Sequence, residues 1–235
     1  MVMQSNQGYC HCCRKDVIFI VHCEWLRDQY ICNQCNSIPR QRHLQHILDR
    51  HFENWESQII HESSPSSDFL SRYASTYTSS QFLPDVTFGE TSEDGIRSEN
   101  LEALSFASNT IDIFVTQDVF EHIFYPNRAA KEIARVLTPG GIHIFTAPKF
   151  EKLTKSYARS LIDSSGEVTH LFEPEYHGNP VGDGKALVTW HFGDDFEYLL
   201  SRWSGLPVTT YVTRDRDLGI DAKFNEVFVM YKPSK

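Results

Sequence analysis

Short apolar stretches separated by polar turns make up most of the chain after residue 57. Seven of them predict β-strands, at 58–62, 73–79, 96–100, 110–116, 142–147, 207–213 and 225–232. Two others, at 126–137 and 192–203, carry apolar residues at helical spacing and predict α-helices. Strands that alternate with helices in this way are typical of a mostly parallel sheet.

The N-terminal segment is set apart by its cysteines, because all six lie within the first 35 residues. Cys10 and Cys13 form one Cys-x-x-Cys pair, and Cys32 and Cys35 form a second pair after 18 intervening residues. This spacing is typical of a zinc ion held by four thiolates, with residues 17–30 forming a hairpin that brings the pairs together. Because four sulfurs leave no open coordination position, the predicted zinc is structural.

The cysteine pattern leaves several alternatives open. Cys12 can compete with Cys13 as a ligand, and Cys23 is left over, with a buried position beside Trp25 as one option. A set of reduced, non-ligating cysteines is the simplest alternative. A redox role is disfavoured because neither pair lies in a thioredoxin-like strand–helix context.

A helix is predicted to connect this segment to the rest of the chain. It starts at Ser37 and runs to about Trp55, and its apolar residues recur at helical spacing. The chain is therefore divided into a zinc-binding ribbon with its linking helix at 1–50 and a larger α/β domain at 51–235.

Charge is unevenly distributed between these two parts. The 235-residue chain has a net charge of −9, whereas residues 1–50 carry six basic and four acidic side chains, which leaves −11 for the remainder. Such an acidic body disfavours nucleic acid as a partner, although the basic N-terminal segment keeps it open. No apolar run reaches the roughly 18–20 residues of a membrane-spanning helix, and residues 1–7 do not resemble a signal peptide. We therefore expect a cytoplasmic protein with no membrane partner.

Two ordered motifs carry a family resemblance. Asp118-Val119-Phe120-Glu121-His122 follows the predicted strand at 110–116, and Thr138-Pro139-Gly140-Gly141 follows the predicted helix at 126–137. Together they resemble class I S-adenosylmethionine-dependent methyltransferases of type 11, over residues 57–232. The first 42 residues are similar to a subgroup that begins with a zinc ribbon, followed by a helix with paired arginines, here Arg40 and Arg42. The alternative for these arginines is a solvated helix surface.

The resemblance implies a Rossmann-like seven-stranded class I methyltransferase sheet with a small N-terminal zinc ribbon. It also implies cofactor contacts for Glu62, Ser63, Ser79, Ser80, Gln81, Asn100, Leu101, Gln117 and Asp118. Gln81 is expected at the ribose, Asn100 at the adenine amine, and Gln117 with Asp118 near the reactive methyl. Glu62 either accepts from the cofactor's amino group or caps the first loop. That loop departs from the family pattern, because Glu62-Ser63-Ser64-Pro65-Ser66 contains no glycine.

The acceptor side is expected in the polar insert at 149–185. Residues 174–180 of this insert resemble a motif of the zinc-ribbon subgroup. His177 is a candidate general base or a residue that orients the acceptor, and Tyr176 is a candidate contact of the sulfonium. His122 and His170 compete for the same roles. For each histidine the alternative is a structural hydrogen bond.

The sequence thus predicts S-adenosylmethionine-dependent methyl transfer to an O or N atom of a small-molecule acceptor, with zinc as a structural ion. Two other functions stay open. One is a scaffold that retains the fold with little catalysis, which the glycine-free loop favours. The other is an RNA methyltransferase in which the zinc ribbon binds RNA.

Overall fold

The structure is a computed structural model that describes residues 2–178 and 184–234. It begins with a three-stranded antiparallel sheet in the order β1-β2-β3, whose strands are β1 (Gln4–Cys10), β2 (Lys15–Val21) and β3 (Tyr30–Cys32). The predicted hairpin is therefore present as β2 and β3, with the one-turn helix α1 (Leu26–Gln29) between them. The sequence did not reveal β1.

The linking helix α2 (Pro39–His51) is shorter than predicted. Pro39 lies at its first turn, where the missing N–H would have no partner within the helix. At the other end Asn54 adopts φ +56°, a left-handed conformation that is incompatible with a right-handed helix. Residues 55–57 form a separate 3₁₀ turn. The predicted continuation to Trp55 is therefore wrong by one turn.

The remaining elements follow in chain order. The first group is β4 (Ile59–Ser63), β5 (Thr76–Gln81), β6 (Arg97–Ser98), β7 (Ile111–Gln117), α3 (Pro126–Val136) and β8 (Leu137–Thr146). The insert forms the short strands β9 (Tyr157–Ala158), β10 (Ser160–Ile162), β11 (Val168–His170), β12 (Tyr176–Gly178), β13 (Lys185–Leu187) and β14 (Trp190–His191). The chain ends with α4 (Phe196–Ser204), β15 (Val208–Tyr211) and β16 (Val227–Tyr231).

Seven strands form the central sheet in the order β15-β16-β8-β7-β4-β5-β6. The five strands from β6 to β8 are parallel, β16 is antiparallel to β8, and β15 is antiparallel to β16. The predicted seven-stranded, mostly parallel sheet is therefore confirmed. The insert contributes three small antiparallel pairs, β9 with β14, β10 with β11, and β12 with β13.

The two faces of the sheet bury different elements because neighbouring strand residues point to opposite sides. Ile113 and Val115 of β7 belong to a core shared with α2 and the N-terminal sheet. Phe114, between them, belongs to the core formed by α3 and α4. Apolar residues on both sides of residue 50 thus pack in one core, while the division into two domains stays a prediction.

Helix α4 begins four residues later than predicted. Gly193 lies before the helix in a segment that passes so close to Leu153 that an added Cβ would lie 2.2 Å from the Leu153 carbonyl oxygen, and the Asp194 N–H donates to that carbonyl. Phe192 next to it bridges to Lys149, and its carbonyl accepts a hydrogen bond from the Phe150 N–H. Apolar spacing alone could not reveal this extended contact. Among the described residues no helix combines the length and apolar character needed to cross a membrane.

Candidate functional site

A cavity of about 1070 Å³ opens at the carboxyl ends of the parallel strands. Open α/β sheets bind ligands at this edge. Seven of the residues predicted from the sequence line it, namely Gln81, Asn100, Leu101, Gln117, Asp118, His122 and His177. The cavity therefore brings together most of the predicted cofactor side and two histidines of the predicted acceptor side.

Glu62 does not line the cavity but supports a residue that does. Its side chain is buried, with Oε2 accepting from the Tyr77 hydroxyl at 2.8 Å and Oε1 from Gln117 Nε2 at 2.8 Å. Burial raises the pKa of Glu62 to about 7, against the effect of these two donors. Gln117 is thereby oriented, and its Oε1 is buried with no hydrogen-bond partner among the described residues.

The serines predicted to bind the cofactor do not line the cavity. Ser63 and Ser80 are buried, Ser80 Oγ bonds His61 Nε2 at 2.9 Å, and Ser79 is also absent from the lining. Ser64 and Ser66 lie there instead. Ser64 adopts φ +56°, and its N–H donates to the Ser80 carbonyl, so a serine takes the left-handed conformation that glycine usually supplies.

The end of the cavity near β5 has an apolar wall and a turn closed by an asparagine side chain. Leu101 is buried and lies on the lining together with Phe82, whose side chain is exposed and stacks on Phe88. Asn100 Oδ1 accepts from the Glu102 N–H at 2.9 Å, so this amide also closes the turn. Sequence reasoning missed Phe82, which follows the strand end by one residue and belongs to no recognisable motif.

Asp118 is held by two arginines from the N-terminal segment. Arg27 Nη2 donates to Asp118 Oδ2 at 2.6 Å, and Arg40 Nε lies 3.0 Å from the same oxygen. Thr146 donates to Oδ1, and the backbone of Asp118 adopts φ +53°. Burial favours the neutral carboxyl, but Arg40 and Arg27 outweigh it and hold the pKa of Asp118 below its usual range.

Neither of the paired arginines is a solvated surface residue. Arg42 is fully buried, and the Arg40 side chain is only 14% exposed. Arg27 and Trp25 also line the cavity, and sequence reasoning missed both because α1 is too short to show a periodic pattern.

Glu121, His122 and His177 meet at the acceptor end. Glu121 Oε1 lies 3.8 Å from His122 Nε2 and 3.8 Å from His177 Nδ1. Glu121 is 1% exposed, and both burial and the Asp118 charge raise the pKa of its carboxyl well above the ordinary value. His122 Nδ1 faces the Leu187 carbonyl at 2.8 Å, and burial lowers the pKa of His122.

Tyr176 and His170 lie outside this cluster. Tyr176 precedes His177 on β12, so the two side chains point to opposite faces, and Tyr176 is 51% exposed and off the lining. The predicted contact of Tyr176 with the sulfonium is therefore not supported by its position. His170 Nδ1 pairs with Ser160 Oγ at 2.9 Å, away from the cavity. Asn179 and Pro180 of the predicted motif lie outside the described residues.

The four cysteines of the two Cys-x-x-Cys pairs lie close together. Their sulfurs are all within 4.8 Å of one another, with 3.7 Å between Cys10 and Cys35 and 4.0 Å between Cys13 and Cys32. A tetrahedral zinc ion with bonds of about 2.3 Å separates its sulfurs by about 3.8 Å, so the donor set fits zinc. Cys12 is buried outside this group.

The position of Cys23 differs from the buried position beside Trp25 that the sequence left open. It is exposed, not buried, because it lies in the turn that follows β2. The exposed Trp25 instead directs its indole N–H to Asp28 at 2.8 Å.

A family model described as a methyltransferase domain matches residues 66–145, which include β5 to β7, α3 and most of β8. This stretch is a methyltransferase domain. The match covers about a third of the chain and supports the predicted enzyme class, a methyltransferase.

Several solved structures share features of the fold at low identity. A chain of the complex between the Haloferax volcanii Trm112 methyltransferase activator and a methyltransferase is 14% identical, with 83% of this chain and 91% of that chain covered and a TM-score of 0.49. An S-adenosylmethionine-dependent methyltransferase from Mesorhizobium loti is 13% identical, with 80% and 96% covered and a TM-score of 0.48. Streptomyces venezuelae DesVI is 12% identical, with 82% and 89% covered and a TM-score of 0.47. Among curated proteins there is no match.

Proposed function

We propose that this methyltransferase transfers the methyl group of S-adenosylmethionine to an oxygen or nitrogen atom of a small-molecule acceptor. The observation that carries the proposal is the single cavity at the carboxyl edge of the sheet, where predicted cofactor residues and two histidines share one space. Its volume of about 1070 Å³ accommodates a nucleoside-sized cofactor with a second small molecule beside it.

The cofactor half of the cavity is assigned from the chemistry of its lining. Gln81 ends the second parallel strand, β5, and can accept from a ribose hydroxyl. Leu101 and Phe82 offer apolar surface to an adenine ring. The free Oε1 of Gln117 is suited to the ammonium of the methionine end, because a buried acceptor without a partner gains most from a charged donor.

The acceptor half is assigned to the end of the cavity that holds His122 and His177. In the transfer, a lone pair of the acceptor forms a bond to the methyl carbon while the carbon–sulfur bond breaks, and its electron pair goes to sulfur. Alignment of the two reacting atoms supplies most of the effect, because the sulfonium is already activated. A histidine here either removes the acceptor proton or orients the acceptor.

Calorimetry with S-adenosylhomocysteine on the zinc-loaded chain tests the proposal. We expect one binding event per chain, weakened about tenfold by Gln81→Ala because one hydrogen bond to the ribose is lost. Gln58→Ala is the matched control, since Gln58 lines a smaller cavity lined also by Pro139 and Gly140, and should leave binding unchanged. Absence of binding contradicts the proposal, and binding without transfer of labelled methyl to any small-molecule extract favours the scaffold.

We also propose that Cys10, Cys13, Cys32 and Cys35 hold one structural zinc ion, supported by the spacing of their sulfurs. Metal analysis of purified protein should give zinc that Cys32→Ser removes and Cys23→Ser, at an exposed cysteine outside the group, retains. Equal zinc content in both variants contradicts the assignment.

A further inference from the structure

The acceptor end of the cavity contains an acid that the proposed function leaves unexplained. Both carboxylate oxygens of Glu121 are buried and have no hydrogen-bond partner among the described residues. A buried carboxylate without partners is costly unless a cation or a proton compensates it. Arg27 and Arg40 act on Glu121 only as nearby charges, because both guanidinium groups pair with Asp118.

We propose that Glu121, His122 and His177 bind a divalent transition-metal ion. One ligand atom from each residue lies within 4.8 Å of the others, and Glu121 Oε1 is 3.8 Å from a nitrogen of each histidine. Ligands of a tetrahedral ion with bonds of about 2.1 Å stand about 3.4 Å apart, so each Glu121–histidine separation needs to close by a few tenths of an ångström.

The surroundings orient His122 as a metal ligand is usually oriented and place a carboxylate near the distal nitrogen of His177. His122 donates Nδ1–H to the Leu187 carbonyl at 2.8 Å, which leaves the lone pair of Nε2 toward Glu121. His177 presents Nδ1 to Glu121 and has Nε2 3.7 Å from Glu175 Oε1. A carbonyl or carboxylate behind the distal nitrogen fixes the tautomer of a metal-bound histidine.

The donor set indicates both the class of ion and its use. Two imidazoles and one carboxylate suit zinc, cobalt, manganese or iron, and three protein ligands leave coordination positions open. Since His122 and His177 line the cavity, the open positions lie where the acceptor is proposed to bind.

The use of the ion rests on the proposed function, whereas its binding does not. An acceptor hydroxyl bound to the ion loses its proton to water more readily, as metal-bound water does. The resulting oxyanion lone pair forms the new bond to the methyl carbon, and the electron pair of the broken carbon–sulfur bond goes to sulfur. The metal site thus narrows the acceptor atom to oxygen and makes His177 a ligand that orients the acceptor.

Cobalt(II) added to the full chain loaded with a single equivalent of zinc, enough for the four cysteines only, tests the site. We expect one cobalt per chain, with a visible spectrum of nitrogen and oxygen ligands and no thiolate charge-transfer band. Glu121→Gln and His177→Ala should each weaken cobalt binding at least about tenfold, whereas His22→Ala, at an exposed histidine outside the cluster, should not change it. Glu175→Gln should weaken it less than His177→Ala does, because Glu175 acts only through His177.

Three results would overturn the site. They are the absence of cobalt binding, equal affinity in wild type and His177→Ala, and a thiolate band in every variant. Calorimetry with S-adenosylhomocysteine on the same samples separates the two proposals. Cofactor binding without cobalt binding removes only the metal site, and cobalt binding without cofactor binding contradicts only the methyl transfer.

Discussion

Arg42 connects the cysteine-rich segment to the rest of the protein, and its replacement by methionine should be strongly destabilising. Its Nε and Nη2 donate to the Gly219 carbonyl at 2.9 and 2.7 Å, and Nη2 also donates to the Tyr30 carbonyl at 2.8 Å. Nη1 donates to the Ser37 carbonyl, and the guanidinium lies 4.6 Å from the Phe19 ring centroid. One side chain therefore joins β3, α2 and the loop around residue 219.

The magnitude follows from these contacts. Hydrogen bonds from a charged donor contribute about 1.5–3 kcal/mol each, and Arg42→Met removes them from three carbonyl groups. Release of a fully buried guanidinium returns several kcal/mol of desolvation, which offsets part of the loss. We therefore expect the free energy of unfolding to fall by about 3–5 kcal/mol, because three carbonyl groups also lose their donor.

Urea unfolding of the zinc-loaded protein, followed by tryptophan fluorescence, measures this change. Arg50→Met is the matched control, because Arg50 is exposed in the last turn of the same helix and should change stability by less than about 0.5 kcal/mol. A loss below about 1 kcal/mol for Arg42→Met would refute the reasoning.

The same variant should release zinc faster to a chelator. Ser37 Oγ lies 3.3 Å from Arg42 Nη1 and within 3.4 Å of the Cys10 and Cys35 sulfurs. Four thiolates and one zinc ion carry a net charge of −2, which a buried cation nearby stabilises. Unchanged zinc release would show that the arginine acts on packing alone.

Three further predictions concern the main domain. The pKa of Glu62 in the folded protein, about 7, is higher than in the unfolded chain. The contribution of Glu62 to stability is therefore complete below about pH 4.5 and is lost as the pH rises through 7. In urea titrations, the stability of Glu62→Gln relative to wild type should increase by a few kcal/mol between about pH 5 and pH 8. Phe145→Ala should cost about 3–5 kcal/mol by the same assay, because the ring is fully buried between Phe120 and Phe228. Gly193→Ala should lower the melting temperature, since its Cβ would meet the Leu153 carbonyl. Gly178→Ala should not, because, apart from its chain neighbours, no atom of the described residues lies within 4 Å of its Cβ.

The order of elements could be predicted because each strand of the sheet is locally marked. The continuous apolar stretch of β7 predicts a buried strand, and the proline after α3 predicts the end of the helix. Both predictions need only residues that are close in sequence. The errors occur where distant residues decide, as at Gly193, whose contact with Leu153 delays α4. Strand β1 went unrecognised because its residues are mostly polar and exposed, and it forms only by pairing with β2.

The sequence predicted which strand ends form the site, but it did not predict which side chains at those ends point into the cavity. Gln81 and Gln117, at strand ends, lie on the cavity, while Ser80 faces His61 on the other side. Since strand residues alternate in direction, a displacement of one residue moves a side chain to the opposite face. The same rule separates Tyr176 from His177. Glu62 is a different case, because its register with Val115 places it on the same face as Gln117, which it orients from within the sheet.

The N-terminal segment forms part of the cavity wall, which changes the role expected for its zinc ion. Trp25, Arg27, Asp28 and Arg40 line the cavity, and Arg27 and Arg40 carry the charge that compensates Asp118. Arg27 lies in the connection between the second and third strands of the N-terminal sheet, and Arg40 follows the second Cys-x-x-Cys pair by five residues. We therefore expect the proposed zinc ion to hold the segment that positions both arginines relative to β7. Loss of zinc would leave Asp118 uncompensated at a strained backbone position, so metal loading and cofactor affinity should be coupled.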